Sequence, residues 1–238
     1  MFYEDFDLNI DAVFYLRGLG FIASGALFWL IYFNIKDRYK PEPKRLLVLT
    51  FILGIGSAVL AIGAYLICEM LGCPVFPSQD LGGILIFCLL LVGPIEEGMK
   101  FLVARVFVFR WKHFDEPIDG MVYASIIAIG FASMENVLYL SYLSWPQQLI
   151  RTLTSPLTHS LFAIVWGFGT SKAYFSARTR TSRFLWQAIP LLASMLLHGL
   201  YDFFLLALNA TYLASGIVLI LWVFLISYAR HLTKFQKP

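Results

Sequence analysis

Seven runs of roughly twenty or more mainly apolar residues, at about 13–35, 46–71, 81–109, 118–143, 153–175, 184–207 and 212–229, leave this chain few ways to fold. Each is long enough to cross the hydrocarbon core of a bilayer as a helix, and the connections are too short to hold a soluble domain between them. Composition agrees: 59% of the 238 residues are hydrophobic, 14% are charged, and mean hydropathy is +0.74. The expectation is one all-α transmembrane domain over residues 1–238, a polytopic helical bundle of about seven membrane-spanning helices.

Lysines and arginines set the orientation. Lys36, Arg38, Lys40, Lys44, Arg45, Arg105, Arg110, Lys112, Lys172, Arg178, Arg180, Arg183, Arg230, Lys234 and Lys237 all fall in alternate loops. Arg17 and Arg151 lie near the other face, and Lys100 lies within a span. The predicted topology has the N-terminus out and the C-terminus in. The net charge of +3 is therefore a topology signal, and no nucleic-acid partner is expected. The acidic opening "MFYEDFDLNIDA" lacks the basic segment of a cleaved signal peptide, so the first run reads as a permanent span. Cys68, Cys73 and Cys88 form no CxxC pattern and read as unpaired thiols. Gly54, Gly56, Gly63, Gly130, Gly167 and Gly169, all inside spans, would permit close helix contact.

Charge inside the membrane is the informative exception. An ionised side chain at the bilayer centre costs about 2.5–3.5 kcal/mol on insertion scales, and such groups are functional by default. The stretch "LVGPIEEGMKFLVA" (91–104) carries Glu96, Glu97 and Lys100. Glu135 lies in the fourth run, His159 in the fifth, and His198 and Asp202 in the sixth. At about 1.5 Å per residue, His198 sits about 21 Å from the inner end of its run and Asp202 about 6 Å further out. Glu135 and His159 come to a similar level in the outer half, and Glu97 joins them if its helix ends near Arg110. Glu96 and Lys100 are spaced i,i+4, so the lysine can neutralise one of the two adjacent carboxylates. His198 and Asp202 share the same spacing, which suits two metal ligands or a carboxylate orienting an imidazole. Two histidines with several carboxylates match the N/O donor set of a catalytic zinc, with a spare glutamate as base for a bound water. The HExxH pattern is absent.

In order along the chain, "EEGMK" (96–100, EExxK), "FASMEN" (131–136, FxxxEN), "HSLFAIVWG" (159–167) and "HGLYD" (198–202, HxxxD), with "DEPIDGMVYA" (115–124), resemble the PrsW family of bacterial intramembrane proteases. The resemblance covers residues 91–202 and implies catalytic core helices within about 81–207. It implies a protease of the bacterial cytoplasmic membrane that cuts a single-pass membrane protein, typically an anti-sigma factor, on the extracytoplasmic side. By similarity, Glu96 is the general base and Glu97 acts with it. Glu135, His159, His198 and Asp202 are candidate zinc ligands, and Lys100 and Asn136 are supporting residues. A metal-free mechanism, with Glu96 and the histidines activating water, uses the same set. The related CAAX prenyl endopeptidases have EExxxR and FxxxH, where this chain has Lys100 at shorter spacing and Glu135; an endopeptidase of that type is the alternative reading. A proton-coupled transporter is the alternative of another class, disfavoured because the polar groups cluster at one depth rather than lining a path.

Overall fold

The computed structural model describes residues 12–36, 41–75 and 80–235. The N-terminal stretch, Arg38, Lys40 and Lys237 lie outside the described residues, as do the side chains of Lys36, Arg230 and Lys234. Among the described residues there is no strand. The helices are α1 (Ala12–Lys36), α2 (Lys44–Met70), α3 (Leu81–Phe87), α4 (Gly93–Val106), α5 (Asp119–Leu138), α6 (Trp145–Phe175), α7 (Arg180–Leu206) and α8 (Thr211–Phe235). A π-helical turn, Cys88–Val92, joins α3 to α4, so these two form one broken span. Cys68, Cys73 and Cys88 are free thiols.

Five stretches are long and apolar enough to cross a membrane: Ala12–Phe33, Lys44–Met70, Leu81–Arg110, Asp119–Leu138 and Arg180–Leu206. The two remaining expected spans correspond to α6 and α8. α8 contributes a shorter apolar stretch, Thr211–Ser227. α6 falls short for a different reason. It packs against α1, α5, α7 and α8, and it buries Gln148, Thr152, Ser155, Thr158, His159, Ser160, Thr170 and Ser171. A helix shielded from lipid by its neighbours has no need of an apolar surface, and its polar side chains bond locally, as in Ser160 Oγ to the Pro156 carbonyl (2.6 Å).

Helix boundaries depart from the apolar runs at several ends, two of them beside the polar residues of α5 and α6. α6 starts at Trp145 rather than near 153, because Ser144 and Gln147 form a capping box and Pro146 sits in the first turn. α5 ends at Leu138 although the apolar run continues to 143; a 3-10 turn, Leu140–Tyr142, reverses the chain instead.

α5 lies at the centre, with most of its length buried against α6, α2, α1 and α4. Small residues set these distances. A Cβ on Gly54 would strike the Ile127 carbonyl, one on Gly130 the Phe51 carbonyl, one on Gly167 the Gly120 carbonyl, and one on Gly169 the Trp186 carbonyl. Gly56 and Gly63 have nothing within 4 Å of that position, so the close approach expected of them does not occur.

Candidate active site

The site forms where α4, α5, α6 and α7 meet, and its geometry begins with two glycines. A Cβ on Gly93, the first residue of α4, would collide with the Met195 carbonyl; one on Gly199 would collide with the Cys88 carbonyl. With both absent, the π turn and the start of α4 lie directly on α7. A π turn rotates the residues that follow it relative to a regular helix, and such turns recur at functional sites. Here it delivers Glu96 and Glu97, one turn into α4, to His198.

Glu97 is fully buried and fully engaged. Its Oε1 accepts from Lys100 Nζ (2.7 Å) and from His198 Nδ1 (3.0 Å). Its Oε2 accepts from Trp166 Nε1 (2.9 Å) and lies 3.2 Å from Ser194 Oγ, whose single proton is shared with the Phe162 carbonyl at 2.8 Å. Lys100, equally buried, stands 3.9 Å over the Phe131 ring and 3.0 Å from His159 Nδ1. The lysine thus pairs with its i,i+3 neighbour; Glu96 is further off, at 3.7 Å. Both acids lie within reach of a lysine at these spacings, and the tertiary donors gathered on Glu97 decide between them.

A carboxylate accepts and an ammonium donates, so the partners assign the imidazole protons. In the neutral ring His198 Nδ1 donates to Glu97 and the lone pair is on Nε2, 3.5 Å from Asp202 Oδ2. His159 Nε2 donates to Glu135 Oε2 (2.8 Å), and its Nδ1 lone pair accepts from Lys100. Both lone-pair nitrogens face one atom: Glu96 Oε2 lies 3.8 Å from His198 Nε2 and 4.0 Å from His159 Nδ1. That oxygen is buried and accepts no hydrogen bond among the described residues, while Glu96 Oε1 has only a 3.5 Å contact with the Tyr65 hydroxyl. Phe162 stacks on the His198 ring, with centroids 4.8 Å apart, and fixes its plane.

Glu96, His159 and His198 each offer one donor atom within 4.8 Å of the others, close enough to share a metal ion. Each imidazole is held through its other nitrogen by a carboxylate, the arrangement that orients histidine ligands of zinc. The donor set therefore fits zinc, with one condition: Lys100 Nζ must leave His159 Nδ1 for that nitrogen to bind a metal. Glu135, by contrast, spends its oxygens on His159 and on Arg151 Nη2 (2.8 Å). Asp202 Oδ2 is 3.5 Å from His198 Nε2. Asn136 is buried beside Glu135, but its amide makes no hydrogen bond among the described residues. A cavity of about 80 Å³, lined by Glu135, Arg151, Thr158, His159, His198, Tyr201 and Asp202 among others, opens beside these groups.

Sequence reasoning brings the six ionisable candidates and Lys100 to one place, and there the structure puts them. It misses Trp166, Ser194 and Arg151, and it takes Phe131, the first residue of FxxxEN, as a packing residue where its ring lies under Lys100. Trp166 and Ser194 are uncharged residues of types common in packing. Arg151 looks like a loop residue until α6 is extended to Trp145, a signal present in the Ser144–Gln147 cap.

Known proteins share this chain's pattern. Residues 42–229 match the model of the PrsW family intramembrane metalloproteases. The chain is similar to Protease PrsW of Bacillus subtilis (strain 168), with 35% identity over 197 residues, covering 82% of this chain and 86% of that protein. Protease PrsW of Geobacillus kaustophilus (strain HTA426) is 32% identical over 75% of each chain, and that of Clostridioides difficile (strain 630) is 31% identical over 89% of this chain and 85% of its own. No solved structure matches significantly. With several spans and buried acids and imidazoles converging between them, this multi-pass membrane protein belongs to the PrsW family of intramembrane metalloproteases.

Proposed function

We propose that the protein hydrolyses a peptide bond of a single-pass membrane protein, of the anti-sigma-factor type, near the extracytoplasmic side of the bacterial cytoplasmic membrane. The observation that carries this reading is the meeting of two carboxylate-held imidazoles at Glu96 Oε2, a buried oxygen that accepts no hydrogen bond among the described residues. The basic loops would face the cytoplasm. The site would then lie toward the outer surface, since Glu135 is three residues from the end of α5 and Asp202 four from the end of α7.

Glu96, His159 and His198 would hold a zinc ion, which would supply a Lewis acid that acidifies water at neutral pH. Glu97 fixes the His198 ring and Glu135 fixes the His159 ring, so neither is free to take a proton from the attacking water. Asp202, on the cavity wall beside His198, takes that proton and returns it to the leaving amine. Lys100 neutralises Glu97 and keeps the site's carboxylates from repelling one another.

A second reading rests on the contact between Lys100 and His159 Nδ1, which already fills one of the three donor positions. Without metal, Glu96 is the base: its open oxygen accepts the water's proton, and the Lys100 ammonium stabilises the oxyanion.

Metal content of the detergent-purified protein, measured with cleavage of a single-pass membrane substrate, separates the two. The zinc reading expects about one zinc per chain in wild type and none in His198→Ala or Glu96→Gln. An active wild type free of metal moves the proton transfer to Glu96. Wild-type cleavage by both variants would sink the site altogether.

A further inference from the structure

The face of the bundle that carries the basic loops has a second cavity, of about 460 Å³, far from the active site. Its size is that of a small-ligand site, roughly 300–1,000 Å³. Arg105 enters from the end of α4, Tyr174 from the end of α6, and Arg180, Arg183, Phe184 and Gln187 from the first two turns of α7.

Three features define what such a cavity takes. First, none of the three arginines forms an ion pair with an acid among the described residues, so three guanidinium groups share one concavity without a carboxylate from those residues. Second, the cluster is tied across a helix seam: Arg105 Nη1 donates to Gln187 Oε1 (2.9 Å), which holds one fork against α7 while its other N–H groups stay available. Third, the rim is apolar on its open side, where Phe184 is 68% and Tyr174 45% exposed. Guanidinium forks pair with planar or tetrahedral oxyanions, above all phosphate, and an exposed aromatic rim on a membrane-embedded helix lies against acyl chain. Charge and rim together describe an amphiphile.

We propose that this cavity binds the phosphate of an anionic phospholipid, with Arg105, Arg180 and Arg183 on the phosphate oxygens and the acyl chain along Phe184 and Tyr174. The shared chemistry is a phosphate oxyanion; the apolar rim selects the lipid over free phosphate. Basic pockets between helices at the membrane surface are suited to headgroups for this reason. An orientation signal alone needs only the number of basic residues in the loop, whereas the cavity needs these three in place. Arg178, exposed in the same loop but outside the cavity, is the internal comparison.

The experiment is native mass spectrometry of the full chain in detergent, titrated with short-chain phosphatidylglycerol, phosphatidylcholine or inorganic phosphate. One saturable phosphatidylglycerol is expected on wild type. Binding should weaken at least tenfold in the triple variant Arg105→Gln, Arg180→Gln, Arg183→Gln and change less than twofold in Arg178→Gln. The triple lysine variant, which keeps the charge and loses the forks, should fall between them, and it tests the idea even if the glutamine variant proves unstable. Equal weakening by Arg178→Gln, or no weakening in either triple variant, would overturn the proposal. Inorganic phosphate competing as strongly as the lipid would keep the oxyanion site and overturn its assignment to lipid.

Discussion

Glu96 and Glu97 are neighbours in sequence, yet they belong to two regions with opposite designs. Around Glu97 every polar atom is answered: lysine, imidazole, indole and hydroxyl converge on a carboxylate with no exposure to solvent. Around Glu96 the distances lengthen to 3.5–4.0 Å and one oxygen accepts no hydrogen bond among the described residues. A buried ion pair is tolerated when hydrogen bonds satisfy both charges, and it is costly to break, so the first region holds α4 against α6 and α7. The second leaves binding capacity unspent, and chemistry needs that. One helical step, about 100° around α4, separates scaffold from reagent.

Substitutions can break this contrast. The largest effect expected is on activity in Glu96→Gln, a loss on the order of 10³-fold or more in cleavage with the melting temperature little changed. Next comes Glu97→Gln, which strands Lys100 as a buried charge and should cost about 3–5 kcal/mol of stability, read by thermal unfolding in detergent. Adding Lys100→Met to it should recover part of that loss; strict additivity of the two would mean that the pair is not coupled. Gly199→Ala tests the link between the two regions. Its methyl would push α7 away from Cys88, and a cost of about 1–3 kcal/mol with a clear fall in activity is expected. Gly63→Ala, with open space at the same position, should stay within about 0.5 kcal/mol of wild type and retain full cleavage.

The same contrast explains what the sequence makes legible. A charge in an apolar run is conspicuous, so Glu96, Glu97, Lys100, Glu135, His159, His198 and Asp202 can be singled out without a structure. The common depth of Glu135, His159, His198 and Asp202 follows from helix rise, and that of Glu96 and Glu97 from the same rise once their helix is taken to end near Arg110. Their division of labour does not, because it is written by residues that look ordinary in one dimension. Trp166 and Ser194 are 69 and 97 positions from Glu97, and only packing of α4 against α6 and α7 brings them to it. The π turn at Cys88–Val92 is equally invisible in an uninterrupted apolar run, although it sets the phase of the helix on which both glutamates stand. Spans with lipid-facing surface, such as α2, are easy to read from hydropathy. α6, which carries His159, is readable as a span only over 153–175, without its polar first turns.

That polar character of α6 has a consequence for biogenesis. A segment whose first turns hold Gln147, Gln148 and Arg151, and which is less apolar than the five stretches suited to cross a membrane, is poorly suited to partition into lipid alone. Its insertion must be assisted by α5, already in place, and completed by α7, which follows it through a connection of only four residues, 176–179. His159 therefore meets Glu135 and Glu96 only once α6 has packed on α4 and α5, and His198 meets Glu97 only once α7 has followed. A chain stalled partway through synthesis would hold Glu96 and Glu97 in the membrane without either imidazole, and the newborn protease would be inert until its final helices are laid down.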